Sequence, residues 1–441
     1  MRTDALGVPE LEVPAGWNYA PLGNLIDEQR GISYGIVQQG QHVDDGVPIL
    51  RVNNLRGGRI LTDDVLQVGT EIEANYLRTR LRGGEVLLSL VGTLGECAIV
   101  PNELAGWNVA RAVAVIPLKA NIDPYWVAMC LRSADVQALV RAWATTTVQA
   151  TLNLRDVRRL PVLLAPEPDR TNITRAIRQF DDKLEQNRRT GRALEGLAQA
   201  TFKAWFVDFE PIKAKAAGAA GYPGMPHAAF AALPGRLTDS RVGPVPEGWE
   251  VRSLSKAADF LNGLALQKYP PAGQYTDLPV IKIAELRKGS TEGSDLANAN
   301  VPDAYVIEDG NLLFSWSGTL EAELWFGGRG ALNQHLFKVT SDDYPRWLCL
   351  NWVRQHLPEF RLIASSKATT MGHIKRGHLD DAQVVVPDEE SLHAADDVTG
   401  PLYDLHACLA LETRKLAALR DYLLPRLLSG RVRPPHGEVN V

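Results

Sequence analysis

The sequence predicts a mixed α+β protein with an internal pseudo-two-fold repeat: two strand-rich mixed domains, each followed by a long helix, the two helices packed as an antiparallel coiled coil. Two observations carry this. Ile173, Ile177, Phe180, Leu184, Leu194 and Ala198 fall on one alternating four-three stripe within 169–210, the spacing of a single apolar helix face. At an offset of 225 residues the stripe returns as Val398, Leu402, Leu405, Leu409, Leu416, Leu419 and Leu423, and its polar interruption returns with it, Asn187 answering Glu412. One such helix would most simply pack on its own domain, but two matching seams in one chain bury each other. In an antiparallel pair, equivalent positions meet only where the pseudo-two-fold axis crosses, so Asn187 and Glu412 are expected side by side.

The segments before each helix repeat as well. Pro14-Ala15-Gly16-Trp17 recurs as Pro246-Glu247-Gly248-Trp249 at an offset of 232, a turn with an anchoring Trp opening each half. Residues 47–56 and 278–287 show the apolar alternation of a strand, and 85–94 and 311–320 read as a strand running into a Ser/Gly/Thr turn. Alternation resumes in 110–118 and 333–339. A short helical pattern follows Trp126 and Trp347, then a small-polar cluster (144–149, 365–370), a basic stretch (152–159, 372–378) and an apolar strand ending at Pro166 or Pro387. Between the first long helix and the second half, 211–245 is rich in Ala, Gly and Pro, the composition of a linker.

A chain of 441 residues holds more than one domain, and 45% hydrophobic with 22% charged residues is ordinary globular composition. The first thirty residues contain no apolar run of signal-peptide type and no eighteen-residue apolar stretch occurs, so a cytoplasmic protein without a membrane partner is expected. Cys97, Cys130, Cys349 and Cys408 are scattered, which suggests neither a zinc site nor a disulfide framework. A net charge of −5 argues mildly against indiscriminate coating of nucleic acid, although an acidic chain can carry a local basic face.

Signatures of catalysis are missing. There is no phosphate loop, no G-x-S-x-G, no H-E-x-x-H and no Asn/Asp-Pro-Pro-aromatic sequence of amino-methyltransferases, and Gly92-x-x-Gly95 reads as a turn. A non-catalytic chain without a metal is the expectation. What remains is polar and basic side chains in turns, the residue types that neutralise phosphates and bond base edges. In the first half these candidates are Asn53, Asn54, Arg56, Arg59, Thr93, Arg111, Thr145, Thr146, Gln149, Arg155, Arg158 and Arg159. In the second they are Lys282, Lys288, Ser317, Thr319, Gln334, His335, Lys367, Thr369, Thr370, His373, Lys375 and Arg376.

Several stretches together resemble the specificity subunit of type I restriction-modification systems, the HsdS family. They are Pro14-x-Gly16-Trp17 and Pro246-x-Gly248-Trp249; Leu88-Ser89-x-x-Gly92-Thr93 and Phe314-Ser315-x-Ser317-Gly318-Thr319; Asn333-Gln334-His335; Thr370-Met371-Gly372-His373-Ile374-Lys375-Arg376; Phe202-Lys203-Ala204-Trp205-Phe206-Val207-Asp208-Phe209; and Leu423-Leu424-Pro425-Arg426-Leu427-Leu428-Ser429-Gly430. The resemblance implies target-recognition domains at 1–168 and 246–387, coiled-coil helices at 169–210 and 388–430, a linker at 211–245 and a tail at 431–441. It further implies a DNA reader in which each recognition domain takes one half of a bipartite, asymmetric site and the helices fix the spacer. Two modification subunits would supply S-adenosylmethionine and adenine methylation, and restriction subunits would bring ATP and Mg, leaving no cofactor on this chain. Where the second half has Gln334-His335, the first is aligned as Ala110-Arg111. The competing readings are a fragment of a fused methyltransferase-recognition chain and a scaffold that binds protein.

Overall fold

The computed structural model describes residues 13–144, 150–366 and 372–434. The chain divides into two units, Met1–Asp182 with Ala417–Val441, and Lys183–Leu416. In the first, a four-stranded sheet runs in the order Ser33–Tyr34, Val113–Ile116, Val86–Ser89, Cys97–Ile99, and in the second the same order is built from Asp259–Asn262, Leu336–Thr340, Leu312–Ser315 and Ala322–Leu324. Smaller sheets repeat too: Val47–Leu50 runs parallel to Asn108–Val109 as Leu278–Ile281 does to Gly330–Leu332. Asn18–Pro21 pairs with Pro161–Leu164 as Glu250–Ser253 pairs with Gln383–Val386. The internal repeat seen in the sequence is thus a repeat of topology.

Val86–Ser89 and Leu312–Ser315 are buried along their whole length, which explains why they read as unbroken apolar runs. Successive side chains point to opposite faces. Val86 and Leu88 therefore enter a core with the helix Pro124–Arg132, while Leu87 enters another with Leu50 and Val109. Leu312 and Phe314 join a core with the helix Arg346–Ser366, and Leu313 packs with Ile281 and Trp325.

The long helices are Glu167–Phe202 and Glu389–Leu428. In the first unit Ile173 and Ile177 share a core with Leu427 and Leu428, and in the second Ala198 and Phe202 share one with Ala395 and Tyr403. Asn187 Nδ2 donates to Glu412 Oε2 at 2.7 Å, and Gly191 faces the ring of His406. Advancing along one helix while retreating along the other, these contacts are antiparallel, and the two polar interruptions meet as expected. The apolar stripe of the second helix is only partly kept, since Leu405 and Leu419 remain 47% and 45% exposed while Ala395, Thr399 and Tyr403 are buried. A straight helix of 3.6 residues per turn drifts about 20° per heptad from a four-three stripe. Tyr403, bonded through its hydroxyl to Asn351 Nδ2 at 2.7 Å, takes the inward place.

Ion pairs tie the long helices to each other and to the mixed domains. In the first unit Asp181 accepts from Arg420 Nη1 at 2.8 Å and from the hydroxyl of Tyr125 at 2.5 Å. In the second, Arg354 lies between Glu195 at 2.6 Å and Glu323 at 2.5 Å, and Arg414 grips Asp309 at 2.6 and 2.7 Å. Burying a guanidinium this way is tolerable only because carboxylates meet it.

Three expectations are corrected. The segment 211–245 is no free linker: it forms the helices Glu210–Ala216 and His227–Ala232 and the hairpin Leu237–Ser240 with Gly243–Pro246, and Ile212, Phe230 and Leu233 enter the core of the second unit. Lys215 Nζ bonds the carbonyls of Phe230 and Ala231 at 3.1 and 2.7 Å, a cation on the end of that short helix. The first long helix stops at Phe202 rather than at 210, passing into a π-turn at Lys203–Val207 and a left-handed Phe209 (φ 52°). That break turns Phe206 onto Trp249 at 5.6 Å and Trp347 at 5.8 Å, so the aromatic sequence closing the helix is core. Finally, 283–288 is the helix Ile283–Lys288 rather than strand, held at its start by Lys282 N donating to Glu285 Oε2 at 3.1 Å and at its end by the left-handed Gly289.

Glu412→Ala is expected to cost about 1–2 kcal/mol, because Asn187, 2% exposed, loses its acceptor. Leu at both positions is expected to restore or exceed the starting stability, as apolar replacements of buried polar pairs often do. Midpoints of urea unfolding check both variants.

The Arg414 guanidinium holds the Asp309 carboxyl below its ordinary range. A lowered carboxylate contributes stability above its unfolded pKa and loses it as pH falls through the folded value. Arg414→Gln should therefore lower the melting temperature at neutral pH and leave less to lose in acid, so melting curves of the two proteins converge as pH drops.

Candidate nucleic-acid interface

Each half ends its central strand in the same serine-centred turn. Ser89 Oγ donates to Thr93 O and accepts from Glu96 N at 2.8 Å; Ser315 Oγ donates to Thr319 O at 2.6 Å and accepts from Glu321 N at 2.7 Å. Gly92 and Gly318, with φ of 76° and 63°, supply the left-handed step. A buried serine thus fixes the turn and leaves Thr93 and Thr319 exposed at its tip.

Beside the turn two backbones cross at a glycine. A Cβ on Gly35 would stand 2.0 Å from Val109 O, and one on Gly263 would stand 2.2 Å from Asn333 O. The crossing lets Arg111 N reach Ile36 O and Gln334 N reach Leu264 O, each at 2.9 Å, which makes Arg111 the counterpart of Gln334. Ala112 and His335 correspond in turn, their carbonyls accepting from Leu90 N at 2.8 Å and Trp316 N at 3.4 Å. The sequence pairing of Gln334-His335 with Ala110-Arg111 is therefore shifted by one residue, since the glycine crossing sets the register. A third segment closes each platform through the bridges Val91 to Thr151 and Ser317 to His373. The helices Leu154–Arg159 and Arg376–Asp381 follow directly.

In the second half, four candidates converge here. Ser317 Oγ lies 2.9 Å from His335 Nδ1, and Gln334 Nε2 lies 3.4 Å from His335 Nε2. The ring of Trp316 stands 5.9 Å from His335 and 6.2 Å from His373, and its Nε1 donates to Asn262 Oδ1 at 2.9 Å. Fixed donors and acceptors on an aromatic wall are suited to bonding base edges or to stacking. In the first half the same scaffold presents Thr93, Arg111, Thr151 and Tyr34, whose hydroxyl accepts from Leu154 N at 3.3 Å. Tyr34 sits where the second half has Asn262, by the register Tyr34 to Ala114 and Asn262 to Phe337. Trp316, Asn262 and Tyr34 were missed from the sequence because they end or directly follow strands whose apolar residues carry the visible pattern.

Other candidates lie elsewhere. Asn54, 2% exposed, gives its amide to Leu61 O and Asp64 O at 3.0 and 2.9 Å and accepts from Arg51 N at 2.8 Å, so it ties a loop and offers nothing outward. Arg56 and Arg59 face each other across a two-residue hairpin, with Asn53 exposed before it. Lys282 pairs with Asp295, and Lys288 with the Glu292 carboxylate at 3.4 Å. Lys375 is exposed, and Arg376 Nη2 donates to Phe260 O at 3.3 Å. Arg155 and Arg158 are exposed, while Arg159 stacks its guanidinium 5.0 Å from the Trp143 ring centre. Thr145, Thr146, Gln149, Lys367, Thr369 and Thr370 lie outside the described residues. Among the described residues no group of three or more His, Cys, Asp or Glu is placed to hold a metal ion, and no helix is long and apolar enough to cross a membrane.

The fold is thus two copies of one strand-rich platform, each followed by a long helix that packs against the other. A crystal structure of the type I restriction-modification S subunit from M. genitalium shares this fold with a TM-score of 0.51 at 12% identity, covering 95% of this chain and 98% of that one. Among sequences, the chain is similar to the Type I restriction enzyme HindI specificity subunit of Haemophilus influenzae, 23% identical over 402 residues and covering 80% of this chain and 87% of that protein. It is also similar to the Type I restriction enzyme EcoBI specificity subunit of Escherichia coli, 30% identical over 178 residues, a match spanning 40% of this chain and 37% of that protein. No protein-family model matches the chain. The resemblance visible in the sequence is borne out by these relatives.

Gly263→Ala is expected to destabilise by about 2–4 kcal/mol, since its methyl would meet a backbone carbonyl that cannot rotate away. The same change at Gly289, which has open space around it but a left-handed φ of 67°, should cost only about 1 kcal/mol. Thermal melts of the two variants test whether the glycine crossing is the tighter constraint.

Proposed function

We propose that this chain is the DNA-reading specificity subunit of a type I restriction-modification complex, each repeat reading one half of a bipartite, asymmetric site. The observation that carries this is the repeated platform: identical backbone devices present Thr93, Arg111, Thr151 and Tyr34 in one half and Thr319, Gln334, His373 and Asn262 in the other. One scaffold with two sets of side chains is what two unlike half-sites require. Asn or Gln can bond adenine bidentately and Arg can take guanine, so Arg111 against Gln334 is the exchange most able to change a base. Among the remaining candidates, the cations contribute phosphate contacts that set position.

Modification subunits would supply S-adenosylmethionine and the methyl transfer, and restriction subunits with ATP and Mg would supply cleavage, this chain serving as reader and not as enzyme. The relatives named above support that role.

Single-molecule mapping of methylated adenines in the host genome is the test. The expected result is one bipartite motif with a fixed gap that disappears when this chain is deleted; unchanged methylation after deletion would sink the reading. Arg111→Gln should alter the bases of one half-site and leave the other half and the gap untouched. Inserting seven residues into each long helix keeps the seam and adds about 10 Å at ~1.5 Å per residue. If the helices set the gap, it should grow by roughly three base pairs at ~3.4 Å each.

A further inference from the structure

The first repeat brings two guanidinium groups to one glycine with no carboxylate between them. Gly31 adopts φ +61°, and a Cβ built there would lie 2.7 Å from Nη2 of Arg78 and 3.7 Å from Nη2 of Arg158. The two nitrogens are thus no farther apart than the sum of those distances. Neither arginine has a carboxylate partner among the described residues, and nearby acids have other contacts: Glu85 holds Arg30, Glu28 meets Lys119, Asp156 meets Arg159 and Asp27 Oδ1 accepts from Gln29 N at 2.9 Å.

Local structure enforces the approach. Arg30 Nε donates to Arg78 O at 3.2 Å and Arg78 Nε to Arg30 O at 2.6 Å, a reciprocal staple that leaves the outer nitrogens of Arg78 aimed at Gly31. The stem of Arg158 lies against Gly23, where a Cβ would be 3.4 Å from Arg158 Cβ. Like charges held together repel unless an anion joins them, and two guanidinium forks match the oxygens of a phosphate.

The second repeat inverts this charge. The helix Arg376–Asp381 is the counterpart of Leu154–Arg159, so Asp380 stands where the first repeat has Arg158. Ser255 replaces Gly23 in the opening turn, and its Oγ donates to Asp380. Asp259 stands in place of Gly31, by the register that equates Asn262 with Tyr34.

We propose that Arg78 and Arg158 clamp a backbone phosphate of duplex DNA on the first repeat, at a place where the second repeat carries carboxylates. The proposal rests on the DNA-reading function above and adds to it Arg78, joined with the candidate Arg158 in one clamp that positions the duplex without reading bases.

The test is binding of the full chain to a labelled random-sequence duplex, by fluorescence anisotropy across a KCl series. Each lost phosphate contact flattens the slope of log K against log salt by about 0.9. Because both arginines hold one phosphate, Arg78→Gln with Arg158→Gln should flatten it by about 0.9 in all and Arg158→Gln by part of that, weakening binding by up to roughly 8-fold at about 0.1 M salt, equally for all sequences. Arg158→Gln leaves the Arg30–Arg78 staple intact, so it answers even if the double variant misfolds. Wild-type affinity and slope in both folded variants would overturn the clamp alone. No duplex binding by the unaltered chain at low salt would overturn the DNA-reading function and the clamp with it. Inorganic phosphate bound by the unaltered chain and lost in the double variant, with duplex binding retained, would assign the pair to a free anion and overturn the clamp.

Discussion

The seam between the two long helices is the constraint on which the rest depends. Neither helix can bury its apolar face against its preceding domain alone, and each unit holds an early segment of one helix beside a late segment of the other. The chain must therefore fold its second helix to complete the core opened by its first domain, as Leu427 and Leu428 do beside Trp17. The sequences that close the helices look like a functional signature but serve this packing. Phe206 under Trp249 and Trp347 is the clearest case.

Charge pairs refine what the seam begins. Asp181 with Arg420 joins the two long helices, while Glu195 with Arg354 and Asp309 with Arg414 each join a long helix to a strand-rich domain. Such pairs add little net stability against a hydrophobic alternative, yet they are costly to break singly, which favours one arrangement over near misses. Asn187 with Glu412 has the same character within the helix pair. Under the proposed function, such coupling of platform to helix is what setting the gap between half-sites would need.

The two platforms keep one scaffold and vary its rim, which is what the proposed reading of two unlike half-sites would require. Backbone devices are kept: the serine turn, the glycine crossing and the third bridging segment. Side chains at their rims are free to differ, because none of those devices uses them. Arg111 against Gln334, Tyr34 against Asn262 and Arg158 against Asp380 change donor pattern, shape and charge without disturbing the scaffold.

By itself the sequence determined the repeat, the two long helices, their antiparallel sense and the meeting of Asn187 with Glu412, since apolar periodicity and a fixed offset are local and translational signals. The fold class and about half of the platform, including Thr93, Arg111, Gln334, His335 and His373, were legible for the same reason. Only the tertiary structure decided which polar residues face outward: Asn54 and Asn53 are neighbours of one type, and burial separates them. It also turned an Ala-, Gly- and Pro-rich stretch into packed helices and a hairpin, because Ile212, Phe230 and Leu233 found a core that composition cannot announce. The convergence of Arg78 and Arg158 lay beyond any sequence reading. It depends on two glycines, Gly23 and Gly31, whose missing side chains make room for side chains from distant segments, and such proximity is fixed only when the whole chain packs.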